Sequence, residues 1–195
     1  MDSRKAEVRR ETAETQVKAS VTLDTREDIT IHTGLPFFDH MLHAMSFHGG
    51  FRLDVSAEGD IQVDPHHLTE DVGLVLGDCF SELLSRSEQL ARFGHAVVPM
   101  DDALSEAVVD AGGRPYLVYR AEYPQAYAGS FQLALFGEFF RGFATRSRCN
   151  VHLWCRYGDN SHHMVEALFK AFGRALGEAF SLQSNASAMS TKGII

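Results

Sequence analysis

His66-His67-Leu68-Thr69-Glu70 and His162-His163-Met164-Val165-Glu166 state one pattern twice, His-His-x-x-Glu, at an offset of 96 residues (162 − 66) in a chain of 195. Two copies half a chain apart point to internal duplication. The flanking sequence repeats as well. Before the first copy, Val17, Ala19, Val21 and Leu23 alternate as a strand with one buried face, and Ile29 and Ile31 predict its partner. Pro36 opens a helix carrying Phe37, Met41, Leu42 and Met45 at helical spacing up to Gly49-Gly50. Phe51, Leu53, Val55 and Ala57 form a further strand, and Asp64-Pro65 reads as an N-cap and first turn for the helix bearing the first histidine pair.

The second half follows the same order. Ala107–Asp110 and Tyr116–Glu122 predict a hairpin around Gly112-Gly113, Leu133–Arg146 a helix, and Val151–Tyr157 a strand. Ser161 is the expected N-cap of a helix from His162 towards Phe180, with Val165, Leu168, Phe169 and Phe172 facing inward. The segment Arg86–Asp102 reads as a linker, and the tail from Ser184 to Lys192 as a loop. The expected fold is α+β: two similar halves, residues 1–92 and 93–195, each a largely antiparallel sheet with helices on one face.

Composition narrows the function. The formal charge is −8, which argues against nucleic-acid binding by bulk electrostatics. No apolar run exceeds four residues, so no membrane span is expected. Arg4, Lys5, Arg9 and Arg10 have no apolar stretch behind them, and the three cysteines are no disulfide framework. A cytoplasmic protein is the expectation.

The chemistry comes from spacing. Residues i and i+4 share a helix face, so His66 with Glu70, and His162 with Glu166, can approach one metal ion each. Imidazole plus carboxylate suits Mn, Fe or Zn. His67 and His163 point about 100° away around the helix and must serve another site or a hydrogen bond. A helix N-terminus disfavours imidazolium, which keeps ring nitrogens available for a metal.

Longer stretches carry a resemblance. Val63–Gly73 and Gly158–Lys170 resemble the two signature segments of imidazoleglycerol-phosphate dehydratases. So do Glu14-Thr15, Thr33–Leu42, Pro99–Leu104, Gly113-Arg114-Pro115 and Ser190–Gly193, in order along nearly the whole chain. The resemblance implies a lyase of histidine biosynthesis with two Mn2+ ions per active site. It would dehydrate D-erythro-imidazole glycerol phosphate to imidazole acetol phosphate through a metal-bound imidazolate. It also implies a 24-subunit homo-oligomer built from trimers, with sites between subunits. The implied metal ligands are His40, His66, His67, Glu70, His162, His163 and Glu166. Where many relatives have an eighth, histidine ligand, this chain has Glu138, with His152 as the alternative.

Glu14, by the same resemblance, is the acid/base, and Glu166 joins it in the catalytic set. His40, His48, Arg92, Arg114, Lys170, Ser190, Thr191 and Lys192 are the implied substrate contacts, the cations for phosphate. His43 and Asp101 are weaker candidates. A dinuclear metallohydrolase and a non-catalytic metal-binding shell are the competing readings.

Overall fold

The computed structural model describes residues 4–25, 27–87 and 89–183; Ser190, Thr191 and Lys192, and the expected tail loop, lie outside them. The first half runs β1 (Lys5–Glu11), β2 (Thr15–Thr22), β3 (Thr30–His32), α1 (Pro36–Gly49), β4 (Arg52–Gly59) and α2 (His66–Arg86). The second runs β5 (Phe93–Met100), β6 (Ala103–Asp110), β7 (Tyr116–Arg120), a short β8–β9 hairpin (Tyr127–Ala128, Phe131–Gln132), α3 (Leu135–Ser147), β10 (Asn150–Tyr157) and α4 (Ser161–Ala179). The sheets are ordered β1-β2-β4-β3 and β5-β6-β10-β7, the same order in both halves. The fold is α+β with two similar halves, the second carrying the extra hairpin.

Three local expectations are corrected. The partner expected for β2 at Ile29 and Ile31 is β3, which pairs with β4 and runs parallel to it. Likewise β7 does not form a hairpin with β6 but lies parallel to β10, the other neighbour of which is β6. In both halves a helix crosses over between the two parallel strands, which a two-residue turn could not do. The expected linker Arg86–Asp102 contains β5, the edge strand paired antiparallel with β6. The first strand, β1, was not expected at all.

Each half lays its helices on its own sheet, and the two helical layers face each other, α2 against α3 and α1 against α4. Aromatic rings fill the seam. Phe80 of α2 meets Phe143 of α3 at 5.4 Å and Phe180 at 5.0 Å, and Phe38 of α1 meets Phe139 of α3 edge-on at 5.4 Å. The core therefore belongs to both halves jointly.

Glycines set how closely the helices approach. A Cβ on Gly173 of α4 would lie 2.0 Å from the Met45 carbonyl oxygen of α1, and one on Gly77 of α2 would lie 2.7 Å from that of Phe143 of α3. Only a residue without a side chain permits that contact. Gly173 faces Met45 and Gly177 faces Gly49, so α1 and α4 run alongside each other in the same sense. That alignment brings the first turn of α1 beside the first turn of α4. Among the described residues, no helix is long and apolar enough to cross a membrane.

Candidate metal and active site

Both histidine pairs sit in a helix first turn, behind a side-chain oxygen two residues before the first histidine; in α2 that residue, Asp64, lies one before the N-cap, which is Pro65 and not the expected Asp64. The Asp64 carboxylate accepts the His66 N–H at 2.8 Å, and the Asn160 side chain accepts that of His162 at 2.9 Å. Asn160, and not the expected Ser161, thus caps α4; Ser161 Oγ instead accepts the Gln125 N–H at 2.8 Å, while Gln125 Oε1 accepts the Ser161 N–H at 2.7 Å. This reciprocal pair ties the segment before the β8–β9 hairpin to the start of α4.

His40 of α1 and His162 of α4 converge on one carboxylate. His40 Nε2 lies 3.2 Å, and His162 Nε2 3.1 Å, from Glu166 Oε2. The other Glu166 oxygen accepts from Lys170 Nζ at 2.8 Å. Burial pushes the Glu166 carboxyl up, but the Lys170 and His40 hydrogen bonds outweigh it and hold the group below its ordinary value. Phe37 sets its ring against the His162 imidazole at 5.1 Å, fixing that ring's plane. A six-coordinate ion with bonds near 2.1 Å needs neighbouring donors about 3 Å apart, so this donor set fits a divalent transition metal.

The corresponding pair in the first half is looser. His66 Nε2 lies 3.6 Å from Glu70 Oε2, and both side chains are more than 40% exposed. The counterpart of His40 here is Glu138. Just as Met45 backs Gly173, Phe143 backs Gly77, and both His40–Glu138 and Met45–Phe143 are 98 residues apart (138 − 40, 143 − 45). Glu138, however, is paired with Arg141 one turn on, and joins no cluster of ligand atoms among the described residues. His152 lies on the exposed face of β10, opposite the buried Val151 and Leu153, and its ring packs near Tyr116. The sheet separates it from the helix-borne histidines.

The second histidine of each pair makes a hydrogen bond to a carboxylate. His67 Nδ1 lies 3.3 Å from Asp60 Oδ2 and 3.5 Å from Glu14 Oε2, and the Asp60 hydrogen bond raises the imidazole pKa. His163 Nδ1 lies 2.6 Å from Asp102 Oδ1, while Asp101 is 3.7 Å from its Nε2. The His163 hydrogen bond, followed by backbone N–H groups of Asn160 and Asp159, holds the Asp102 carboxyl well below the usual carboxylate range. Sequence reasoning missed Asp60 and Asp102, since loop carboxylates have no periodicity to betray them.

The expected phosphate cations are placed differently from one another. Arg92 is bound to Asp110 through Nε at 2.7 Å and lies over the Phe93 ring. Arg114 is exposed beyond β6 and makes no side-chain hydrogen bond or ion pair among the described residues. Lys170 sits between Glu166 and the Met100 sulfur. His48 is exposed at the end of α1 beside Phe47, and His43, one turn earlier, stacks on the same ring.

A family model described as imidazoleglycerol-phosphate dehydratase matches residues 33–176. The imidazoleglycerol-phosphate dehydratase of Citrifermentans bemidjiense is 47% identical over 192 residues, covering 98% of each chain. That of Acidithiobacillus ferrooxidans is 46% identical over 176 residues, 90% of this chain and 88% of the relative. The crystal structure of the Staphylococcus aureus enzyme superposes with a TM-score of 0.84 at 37% identity, covering 92% of this chain and 99% of that one. The Pyrococcus furiosus structure gives 0.83 at 35% identity, covering 96% and 100%. With the two histidine-glutamate helix starts, the shared sheet order and these matches, the chain belongs to the imidazoleglycerol-phosphate dehydratase family of hydro-lyases.

Proposed function

We propose that this chain carries out its family's dehydration, D-erythro-imidazole glycerol phosphate to imidazole acetol phosphate, with two Mn2+ ions per active site. The observation that carries the reading is the convergence of His40, His162 and Glu166 from both halves of the chain. These three residues would hold one ion; His66, Glu70, His67 and His163 belong to the remaining ligand set. A bound ion supplies Lewis acidity towards the substrate's imidazole ring.

The chain's own groups handle the rest. The reaction removes a hydroxyl from the carbon beside the ring and a proton from the next carbon, and the resulting enol becomes the ketone. Glu14 is the acid/base for those protons: its carboxylate is exposed, reaches His67, and makes no other side-chain hydrogen bond or ion pair among the described residues. Arg114 is the unengaged cation for the phosphate, where guanidinium offers two parallel donors. Arg92, gripped by Asp110, and Lys170, gripped by Glu166, support the pocket and reach substrate only by sharing those partners.

His66 and Glu70 have no third ligand atom among the described residues, which favours completion of that site by another copy of the chain. The matching assembly is a 24-subunit particle built from trimers, acting in the cytoplasm. Assaying the ketone product with metal-stripped protein, before and after adding Mn2+, tests the function. Turnover restored by Mn2+ is expected; release of inorganic phosphate in its place would indicate a hydrolase. Light scattering on the same samples tests the assembly, since an ion that binds only the assembled form stabilises it. A full-sized particle that is demonstrably metal-free would overturn metal-driven association.

A further inference from the structure

We propose that Asp102 is a positioning residue for this reaction: it fixes the His163 imidazole in the Nδ1–H tautomer, so that Nε2 is the nitrogen offered to a ligand. The inference rests on the reading of His163 as a metal ligand.

Asp102 directly precedes β6, at the turn from β5, and reaches across to α4. Its Oδ1 lies 2.6 Å from His163 Nδ1, and its Oδ2 accepts the Asp159 N–H at 2.6 Å and the Asn160 N–H at 2.9 Å. An ionised carboxylate only accepts, so Nδ1 must carry the proton, and in the neutral ring Nε2 keeps its lone pair. With both oxygens engaged, the carboxylate cannot rotate without breaking three hydrogen bonds. It couples the β5–β6 turn, the β10–α4 loop and the first turn of α4 into one rigid unit. Carboxylates in this relation to a ligating histidine orient the ring and raise its basicity.

The duplication supplies an internal comparison. Glu14 directly precedes β2, the strand equivalent to β6, and it too faces Nδ1 of the second histidine of its pair. At 3.5 Å, and without backbone donors on its carboxylate among the described residues, it is loose where Asp102 is gripped. Equivalent positions have thus diverged, one to move protons and the other to hold a ring still.

Asp102→Asn separates positioning from shape. The amide has one oxygen, which the two backbone N–H groups claim, so its NH2 must face Nδ1. That reverses the hydrogen bond and places the imidazole proton on Nε2. Solid-state 15N NMR of histidine-labelled, metal-stripped full-length protein reads the tautomer directly, with His163→Gln assigning the resonance. Wild type should show Nδ1–H and Asp102→Asn should show Nε2–H. Mn2+ affinity, followed by EPR of the unbound ion, should fall roughly 10–100-fold in the variant. Asp102→Glu, which restores a carboxylate, should recover the wild-type tautomer. Wild-type His163 in the Nε2–H form, or a variant that keeps Nδ1–H, would overturn the proposal. The wild-type measurement stands even if the variant does not fold. A wild-type protein that binds no Mn2+ would instead sink the metal reading, while the tautomer still reports on Asp102.

Discussion

The two helix starts share one motif and differ in how finished they are. At α4, Glu166 is buried and meets His40, His162 and Lys170; at α2, among the described residues, Glu70 meets only His66, at 3.6 Å. Two additions account for the contrast. The residue at the His40 position is Glu138 in the second half, and it is turned to Arg141. Among the described residues the β8–β9 hairpin exists only in the second half; Phe131 packs on Phe37, Phe37 packs on His162, and Gln125 locks Ser161. Duplication supplied the scaffold twice, and one copy was then completed within the chain while the other was left open.

Metal binding offers the largest test of that difference. In chains dissociated by dilution, the α4 site is expected to bind Mn2+ unaided and the α2 site is not. His162→Ala should abolish the strong site, a loss exceeding the roughly 10–100-fold that removing an outer hydrogen-bond partner costs. His66→Ala should leave it unchanged. Titration showing two equal ions per dissociated chain would break the comparison.

The equivalent positions Glu14 and Asp102 give the next test. Glu14→Gln should cut turnover by at least ~100-fold, the scale of a lost acid/base, with Mn2+ content unchanged. Near-normal turnover would sink the acid/base assignment, and loss of metal alongside activity would place Glu14 with Asp102 among the orienting groups.

The sequence showed some of this and hid the rest for physical reasons. β4 and β10, and β2 but for the buried Ser20, alternate because one face packs on helices and the other meets solvent. β1 was hidden because, as an edge strand, it offers just two apolar residues, Ala6 buried fully and Val8 partly, between charged ones. β5 was hidden behind Gly94, required where α4 lies against it, and Pro99, which an edge strand tolerates. Partners of β3 and β7 were misread because strands adjacent in sequence suggest a hairpin, and nothing local announces a crossover. Of the site, the His-Glu pairs follow from helical period. His40 enters only through resemblance, because its approach to Glu166 depends on how two helices cross.

That crossing yields the third test. Gly173→Ala puts a methyl 2.0 Å from a backbone oxygen that cannot move without shifting α1. Overpacking of this kind costs about 1–3 kcal/mol, a drop of roughly 2–12 °C in Tm. Gly137→Ala is the control: its Cβ would meet nothing nearer than 3.8 Å, and alanine favours the helix. If both variants melt alike, close approach of α1 and α4 does not set the geometry at His40.

The smallest expected effect compares the outer faces of the sheets. Each carries a glutamate between cations: Glu7 beside Lys18 and Lys5, Glu106 beside Arg156 and His95. Glu7 is held below its ordinary value by Lys18 first. Burial pushes Glu106 up, but Arg156 and His95 overcome it and leave that group lowered as well. A carboxyl lowered on folding contributes stability that is present above its ordinary value of 4.5 and is lost as pH falls through the folded value. Both glutamates should therefore contribute to the acid limb of the stability curve and to nothing near neutrality beyond a constant offset. The Glu106 side chain is 17% exposed and that of Glu7 45%, so solvent screens the first pair less. Glu106→Gln should lower stability at neutral pH by about 1 kcal/mol or less, and flatten the loss below pH 4.5 in urea titrations. Glu7→Gln should do the same more weakly, and vanish sooner as salt is added. Equal effects, or a Glu106 contribution that grows as pH falls, would mean that burial and not the cations governs that carboxyl.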